Sequence, residues 1–258
     1  MHIPRKRFGQ HFLRDQSVIQ RIVAAINPAA GEHLVEIGPG QGAITIPILK
    51  ITKRLDAIEL DRDLIEELES RAVRGGLIVH EADALYFDFA SLQVGKMPLR
   101  VFGNLPYNIS TPLLFHLLTF APIIKDMVFM LQKEVAERLA AKADEDDYGR
   151  LSVMVQYHCQ VDLLFNVPKG SFHPPPKVES SIVRLTPYHA YPYVAKDYGL
   201  FASIVKHAFG QRRKTLRNSL RDIVDAESWE RMPVRSDLRA ENLSVKDFVA
   251  ISNAIGTK

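Results

Sequence analysis

Among 258 residues there is a single cysteine, Cys159, so the chain cannot close an internal disulfide. That usage points to a reducing compartment, and the cytoplasm is the expected location. No apolar run approaches the roughly 20 residues that a membrane span needs, so a membrane is not an expected partner. The opening residues, MHIPRKRFGQHFLRD, place no continuous apolar stretch behind their basic side chains, and a secretory leader is not expected. Internal repeats and low-complexity tracts are missing too. The nine histidines are scattered, His189 has no neighbours at ligand spacing, and no metal site is expected.

Acids are missing from two segments. Residues 1 to 14 carry Arg5, Lys6, Arg7 and Arg14, and residues 205 to 221 carry Lys206, Arg212, Arg213, Lys214, Arg217 and Arg221. The formal net charge is +3, so removing these ten cations leaves −7 on the remainder. Two basic patches on an acidic body suit a polyanionic partner, although plain solvated faces would carry the same pattern.

What is present has the balance of a soluble globular chain, 47% hydrophobic and 24% charged, with length for one large domain and a smaller one. Asp15 predicts a helix cap ahead of Val18, Ile19, Ile22, Val23 and Ile26 at helical spacing, ended by Asn27-Pro28. Beyond it, short apolar runs alternate with helical patterns. HLVEIG, RLDAIEL, LIVHEAD, LRVFGN and DMVFMLQ read as strands, and AITIPILK, DLIEELESRAV and PLLFHLLTF as helices. Ser110 is the expected N-cap of the last of these, with Pro112 in its first turn. A further helix should run to about Ala143. Helical RLSVMVQYH and the strands QVDLLFNV and SSIVRL then complete a doubly wound, mostly parallel α/β sheet. From about Tyr188 only helices are predicted: YGLFASIVKHAF, KTLRNSLRDIV and SVKDFVAISNAI. Residues 1–189 are thus expected as one domain with a basic N-terminal arm, and 190–258 as a small all-helical domain. From the residue before KTLRNSLRDIV onward, Arg213, Arg217 and Arg221 recur every fourth residue, predicting one arginine row beside an apolar row of Leu216, Leu220 and Ile223.

The chemistry concentrates at strand ends. EIGPGQG, residues 36 to 42, follows the first strand, and its glycines let backbone amides and a helix start approach a ligand. It parses equally as GxGxG or as the dinucleotide pattern GxGxxA from Gly38 to Ala43. Glu59 ends the next strand and can accept hydrogen bonds from ribose hydroxyls. Asp83, after the third, can accept an adenine amine or cap a local turn. These positions imply an adenosine-containing cofactor without saying which one. NLPY at 104 to 107 narrows the choice, because a nicotinamide enzyme would need a proton-handling group that is not signalled there. Two acceptors, the Asn104 side-chain oxygen and the Leu105 carbonyl, could instead hold the N–H bonds of an adenine amine. Its lone pair would then aim at the methyl of a sulfonium, with Tyr107 offering a ring face to the extruded base.

FGQHFL at 8–13, EIGPGQGAIT at 36–45, NLPYNIST at 104–111, FHPPPKVESSIV at 172–183 and FGQRRKTLRNSL at 209–220 occur in the order of one family. The chain resembles, over nearly its whole length, the bacterial ribosomal RNA small-subunit adenine dimethyltransferases. The resemblance implies a Rossmann-like methyltransferase sheet and S-adenosylmethionine held by His11, Leu13, Gly38, Glu59, Asp83 and Asn104. It implies that Asn104, Tyr107 and Phe172 handle the target base, Phe172 as the second wall of an aromatic sandwich. Arg212, Arg213, Lys214 and Arg217 would contact RNA. The implied reaction is N6-dimethylation of two adjacent adenines in the 3′-terminal hairpin of 16S rRNA, by a monomer, during late assembly of the small ribosomal subunit. Position 11 is His where many members have Asn. A DNA or large-subunit RNA adenine methyltransferase, an assembly checkpoint without catalysis and a nicotinamide dehydrogenase are the alternatives.

Overall fold

The computed structural model describes residues 11–71, 76–211, 213–225 and 227–255; Arg5, Lys6, Arg7 and Arg212 lie outside them. After the two-residue strand β1 (Phe12–Leu13), Asp15 caps α1 (Gln16–Ile26), its Oδ1 accepting the Ser17 and Val18 amides at 2.9 and 3.3 Å. The helix buries Val18, Ile19, Ile22 and Ile26 on one stripe and ends where Asn27 turns left-handed at φ 49°. Strands and helices then alternate: β2 (His33–Ile37), α2 (Thr45–Thr52), β3 (Leu55–Glu59), α3 (Arg62–Arg71), β4 (Leu77–Glu81), β5 (Leu99–Asn104), α4 (Ser110–Leu118) and β6 (Ile124–Gln132). They are followed by α5 (Lys133–Ala140), α6 (Arg150–His158), β7 (Cys159–Val167), β8 (Phe172–His173) and β9 (Ser180–Pro187). The remaining helices are α7 (Tyr198–Gly210), α8 (Leu216–Ser219) and α9 (Val245–Ile255).

Seven strands form one sheet in the order β4-β3-β2-β5-β6-β9-β7. The pairs among β4, β3, β2, β5 and β6 are parallel, and β9 runs antiparallel to β6. The chain leaves β2 on one side through β3 and returns on the other with β5, which makes that gap the switch point of the sheet. β1 and β8 form a separate ribbon, with Leu13 opposite Phe172. Leu13, Ile22, Leu34, Ile48, Phe102 and Phe172 belong to one buried cluster that ties this ribbon, α1 and α2 to the sheet. By contact density the chain divides into two units, Met1–Ala136 with Asp162–Pro187, and Glu137–Val161 with Tyr188–Lys258. In the second unit α6, α7 and α9 pack on one another.

Three local expectations are corrected. Ser110 is the first helical residue of α4 and Ile109 holds the cap position, because the Ile109 amide already closes a turn on Pro106. Helix α5 stops at Ala140, since the Gln156 side-chain amide captures the Leu139 and Ala141 carbonyls and Glu145 captures the Lys142 amide. KTLRNSLRDIV does not form one helix. Thr215 bridges Arg239 in an extended conformation, and the Leu216 and Arg217 amides donate to Leu238 and Ser236 at 2.7 and 3.0 Å. Arg213 therefore precedes α8 and Arg221 follows it, so the expected arginine row is not one helical face. Leu216 and Leu220 are buried as the apolar pattern predicts.

Arg100, buried at the start of β5, locks α1 to the sheet. Its guanidinium grips both Asp126 oxygens at 2.7 and 2.8 Å, donates to the Ile26 carbonyl at 2.6 Å and to the Asn27 carbonyl at 3.1 Å, and pairs with Glu32. The C-terminal carbonyls of α1 are thus satisfied by a cation, the charge that end of a helix favours. Arg100→Met should cost roughly 3 kcal/mol, because it strands two partly buried carboxylates and two carbonyls. Denaturant unfolding monitored by circular dichroism measures it, and a change below about 1 kcal/mol would refute this role.

Candidate active site

Parallel strands β2, β3, β4 and β5 all end at one edge, and a cavity of about 270 Å³ lies beyond those ends. Residues 36–41 at the end of β2 and beyond it, Glu59 and Leu60 at the end of β3, Asp83 after β4 and the segment 104–109 from the last residue of β5 onward line it, with His11, Phe12 and Leu13. Gly38 takes φ 66°, a left-handed conformation that turns the loop so that its amide donates to the Ile58 carbonyl at 2.9 Å. Glu59 accepts the Leu60, Asp61 and Gly40 amides at 2.9, 3.0 and 3.3 Å, tying the glycine loop to the end of β3. Burial pushes the Glu59 carboxyl up, and these three donors oppose the shift. Asp83 uses Oδ1 to hold the Leu85 amide at 2.9 Å, so it caps a turn while lining the cavity.

The β5 end carries two vacant acceptors. Asn104 spends its NH2 group on the His11 carbonyl at 3.2 Å, which leaves Oδ1 as the acceptor it can offer. Leu105 donates its amide to Met130 at 3.1 Å, and no described group donates to its carbonyl. Tyr107 stacks on His11 with centroids 6.0 Å apart, and its hydroxyl meets the buried Ser180 Oγ at 2.8 Å. Burial raises the Tyr107 phenol, against the Ser180 bond, and keeps it neutral. Its part is therefore a ring surface. The His11 Nδ1 hydrogen points to the Pro174 carbonyl at 2.8 Å.

His11, Leu13, Gly38, Glu59, Asp83, Asn104 and Tyr107 are thus brought to one cavity. Phe172 is not. Its ring is buried beside Leu13 in the core cluster, where an apolar side chain gains more than at a wet rim. Arg213, Lys214 and Arg217 are exposed on the helical unit, without side-chain ion pairs among the described residues. Sequence reasoning misses Glu36, Thr45 and Ser180. Glu36 Oε2 and Thr45 Oγ1 are buried without a partner: Thr45 stands close enough to favour the charged Glu36 but makes no well-formed bond to it. An acid inside the otherwise apolar run HLVEI was the available signal.

Residues 1–256 match the family model described as ribosomal RNA adenine dimethylase. The chain belongs to that family. It is accordingly a methyltransferase of ribosomal RNA adenines. The ribosomal RNA small subunit methyltransferase A of Pseudomonas putida is 53% identical over 255 residues, covering 98% of this chain and 96% of the relative. The protein of that name from Aromatoleum aromaticum is 53% identical over 257 residues, covering 100% and 96%. Among solved structures, a dimethyladenosine transferase from Plasmodium falciparum superposes with a TM-score of 0.78 at 28% identity, covering 93% of this chain and 96% of that one. The 23S rRNA methyltransferase ErmE shares the fold, with a TM-score of 0.74 at 23% identity and coverage of 95% and 100%. Among the described residues no helix is long and apolar enough to cross a membrane, and no group of three or more His, Cys, Asp and Glu could hold a metal.

Glu36 gives this family member a pH signature. Burial, with Glu59 nearby, pushes its carboxyl up to about 8. Between the ordinary carboxylate range and that value the folded chain keeps a proton that the unfolded chain sheds, so stability falls as pH rises. Glu36→Gln should remove that fall. Thermal melts without added ligand should show the variant gaining on the wild type more at pH 9 than at pH 5, by several degrees; an equal offset at both values would refute the buried proton.

Proposed function

We propose that the chain transfers methyl groups from S-adenosylmethionine to N6 of two adjacent adenines in the 3′-terminal hairpin of 16S rRNA, two per base. The substrate is the small ribosomal subunit late in its assembly, in the cytoplasm. The observation that carries this reading is the pair of vacant acceptors, Asn104 Oδ1 and the Leu105 carbonyl, beside the Tyr107 ring at the cavity. Two acceptors side by side match the two N–H bonds of one exocyclic amine. Holding both lets the nitrogen pyramidalise and fixes its lone pair in one direction. Tyr107, pinned through Ser180, stacks the extruded base.

The cavity also suits the methyl donor. Its buried Glu36 oxygen lacks a partner, which fits a cationic ammonium group. Glu59 retains lone pairs for ribose hydroxyls, Asp83 has its second oxygen for an adenine amine, and the Gly38 turn lets backbone come close. His11 and Leu13 close the cavity from the ribbon side. When bound, S-adenosylmethionine supplies an electrophilic methyl on a sulfonium. The side chains named here position the acceptor amine and need not exchange protons with it. Arg213, Lys214 and Arg217, with Arg212, supply cations for RNA phosphates.

Incubating the protein with labelled S-adenosylmethionine and unmethylated small subunits should yield N6-dimethyladenosine on nucleoside analysis; recovery of another methylated nucleoside would overturn the assignment. Asn104→Ala should keep the melting temperature and lose on the order of a hundredfold in methyl transfer. Turnover at the wild-type rate would remove Asn104 from the reaction. Arg213→Ala with Arg217→Ala should weaken subunit binding and flatten its salt dependence, by a slope of roughly 0.7 to 0.9 per lost phosphate contact. An unaltered slope would leave these arginines without an RNA role.

A further inference from the structure

The helical unit holds a second cavity, of about 370 Å³, within the size range of small-ligand pockets. Tyr148, Tyr157, Tyr188 and Tyr193 line it, and Lys142 and Lys246 stand at it exposed. Neither ammonium group makes a hydrogen bond or ion pair among the described residues. The acids closest to them in sequence are engaged elsewhere: Asp144 accepts the Asn242 side-chain amide at 2.7 Å, Glu145 holds the Lys142 backbone amide, and Asp247 holds Ser244. Gln156 spends both hydrogens of its amide, at 2.8 Å each, on Leu139 and Ala141, so its oxygen is what it can offer.

The wall is rigid. Tyr148 donates its hydroxyl to the Leu243 carbonyl at 2.8 Å, and Tyr157 packs on Tyr191 and Phe201 with centroids 5.1 and 4.6 Å away. The segment that carries Tyr188 and Tyr193 is anchored at both ends. The Tyr188 amide bonds the His158 carbonyl at 2.9 Å, while Asn253 accepts the Lys196 amide at 2.8 Å and donates to the Val194 carbonyl at 2.9 Å. Aromatic faces, an amide acceptor and two unpaired cations are the set that stacks a base, meets an exocyclic amine and neutralises a phosphate.

We propose that this cavity binds one unpaired nucleotide of the substrate RNA, its base stacked on the exposed Tyr193 ring, which the buried Tyr148 and Tyr157 back, and its phosphate held by Lys142 and Lys246. The inference rests on the RNA substrate proposed above. A Gln156 oxygen facing the base favours adenine, cytosine or guanine, which carry exocyclic amines, over uracil. The nucleotide is separate from the one whose base is methylated, since the cavity belongs wholly to the helical unit.

Binding of unmethylated small subunits, and of 16S rRNA stripped of protein, tests it at several salt concentrations. Tyr193→Ala should weaken both roughly five- to a hundredfold with the salt slope unchanged, and Tyr193→Phe should restore binding. Lys142→Gln with Lys246→Gln should flatten the slope by roughly 0.7 to 0.9 for each lysine that meets a phosphate. Melting temperatures confirm that each variant folds. Wild-type affinity and slope in all three variants would overturn the proposal while leaving the RNA reading intact. Losses seen with assembled subunits but not with stripped RNA would assign the cavity to a ribosomal protein and overturn it too. A wild type that binds neither would fail the RNA reading itself.

Discussion

Gly103 passes so close to β2 that a Cβ built on it would stand 2.3 Å from the Ile37 carbonyl oxygen. No other residue fits there without moving one strand. Because Ile37 and Gly103 are register partners, this approach sets how the two strands end together, with the Gly38 turn on one and Asn104 on the other. Every contact of the cavity is built outward from that pair of ends. Glu59 joins from β3 by gripping the glycine loop, and His11 joins from the ribbon by accepting the Asn104 amide. Arg100 supports the other end of β5, where it gathers Asp126, Glu32 and the last carbonyls of α1.

Electrostatics divides the work between regions. Glu59 and Asp83 bring carboxyl groups to the cavity, and Glu36 adds a carboxyl whose proton a bound cation would displace, which favours a cationic ligand and disfavours a phosphate backbone. A polyanionic substrate must then be gripped elsewhere, and Arg213, Lys214, Arg217, Lys142 and Lys246, without ion pairs among the described residues, are available on the helical unit. Under the proposed function, the sheet edge receives a neutral base and a cationic donor while the helical unit meets the charge of the RNA. This agrees with a net charge of only +3 whose basic residues are clustered in the chain.

Much of the architecture was legible because it rests on local periodicity. Apolar runs such as HLVEI and LRVFGN mark strands buried on both faces, the 3.6-residue pattern marks α1, and Asp15 marks where that helix starts. Asn104, Glu59 and Asp83 could be picked out because a strand end is visible in sequence, and parallel strands bring their carboxyl ends to one side. The motifs also carried the family resemblance that the comparison with known proteins bears out.

What the chain could not show by itself depends on contacts between residues far apart in sequence. The Leu13–Phe172 ribbon joins strands of two residues each, too short for any period to register, and that pairing sends Phe172 into the core. The break in KTLRNSLRDIV comes from carbonyls at Ser236 and Leu238, which capture amides that local propensity would have placed inside a longer helix. Ser180 beneath Tyr107, the orphaned oxygen of Glu36 and the tyrosine wall around Lys142 and Lys246 arise the same way. Sequence by itself determined the order of elements, the strand-end residues and the family, because each is written in short-range pattern. Tertiary structure alone decided which polar groups are left without partners and which rings stay exposed, because those follow from hydrogen bonds and packing across long stretches of chain.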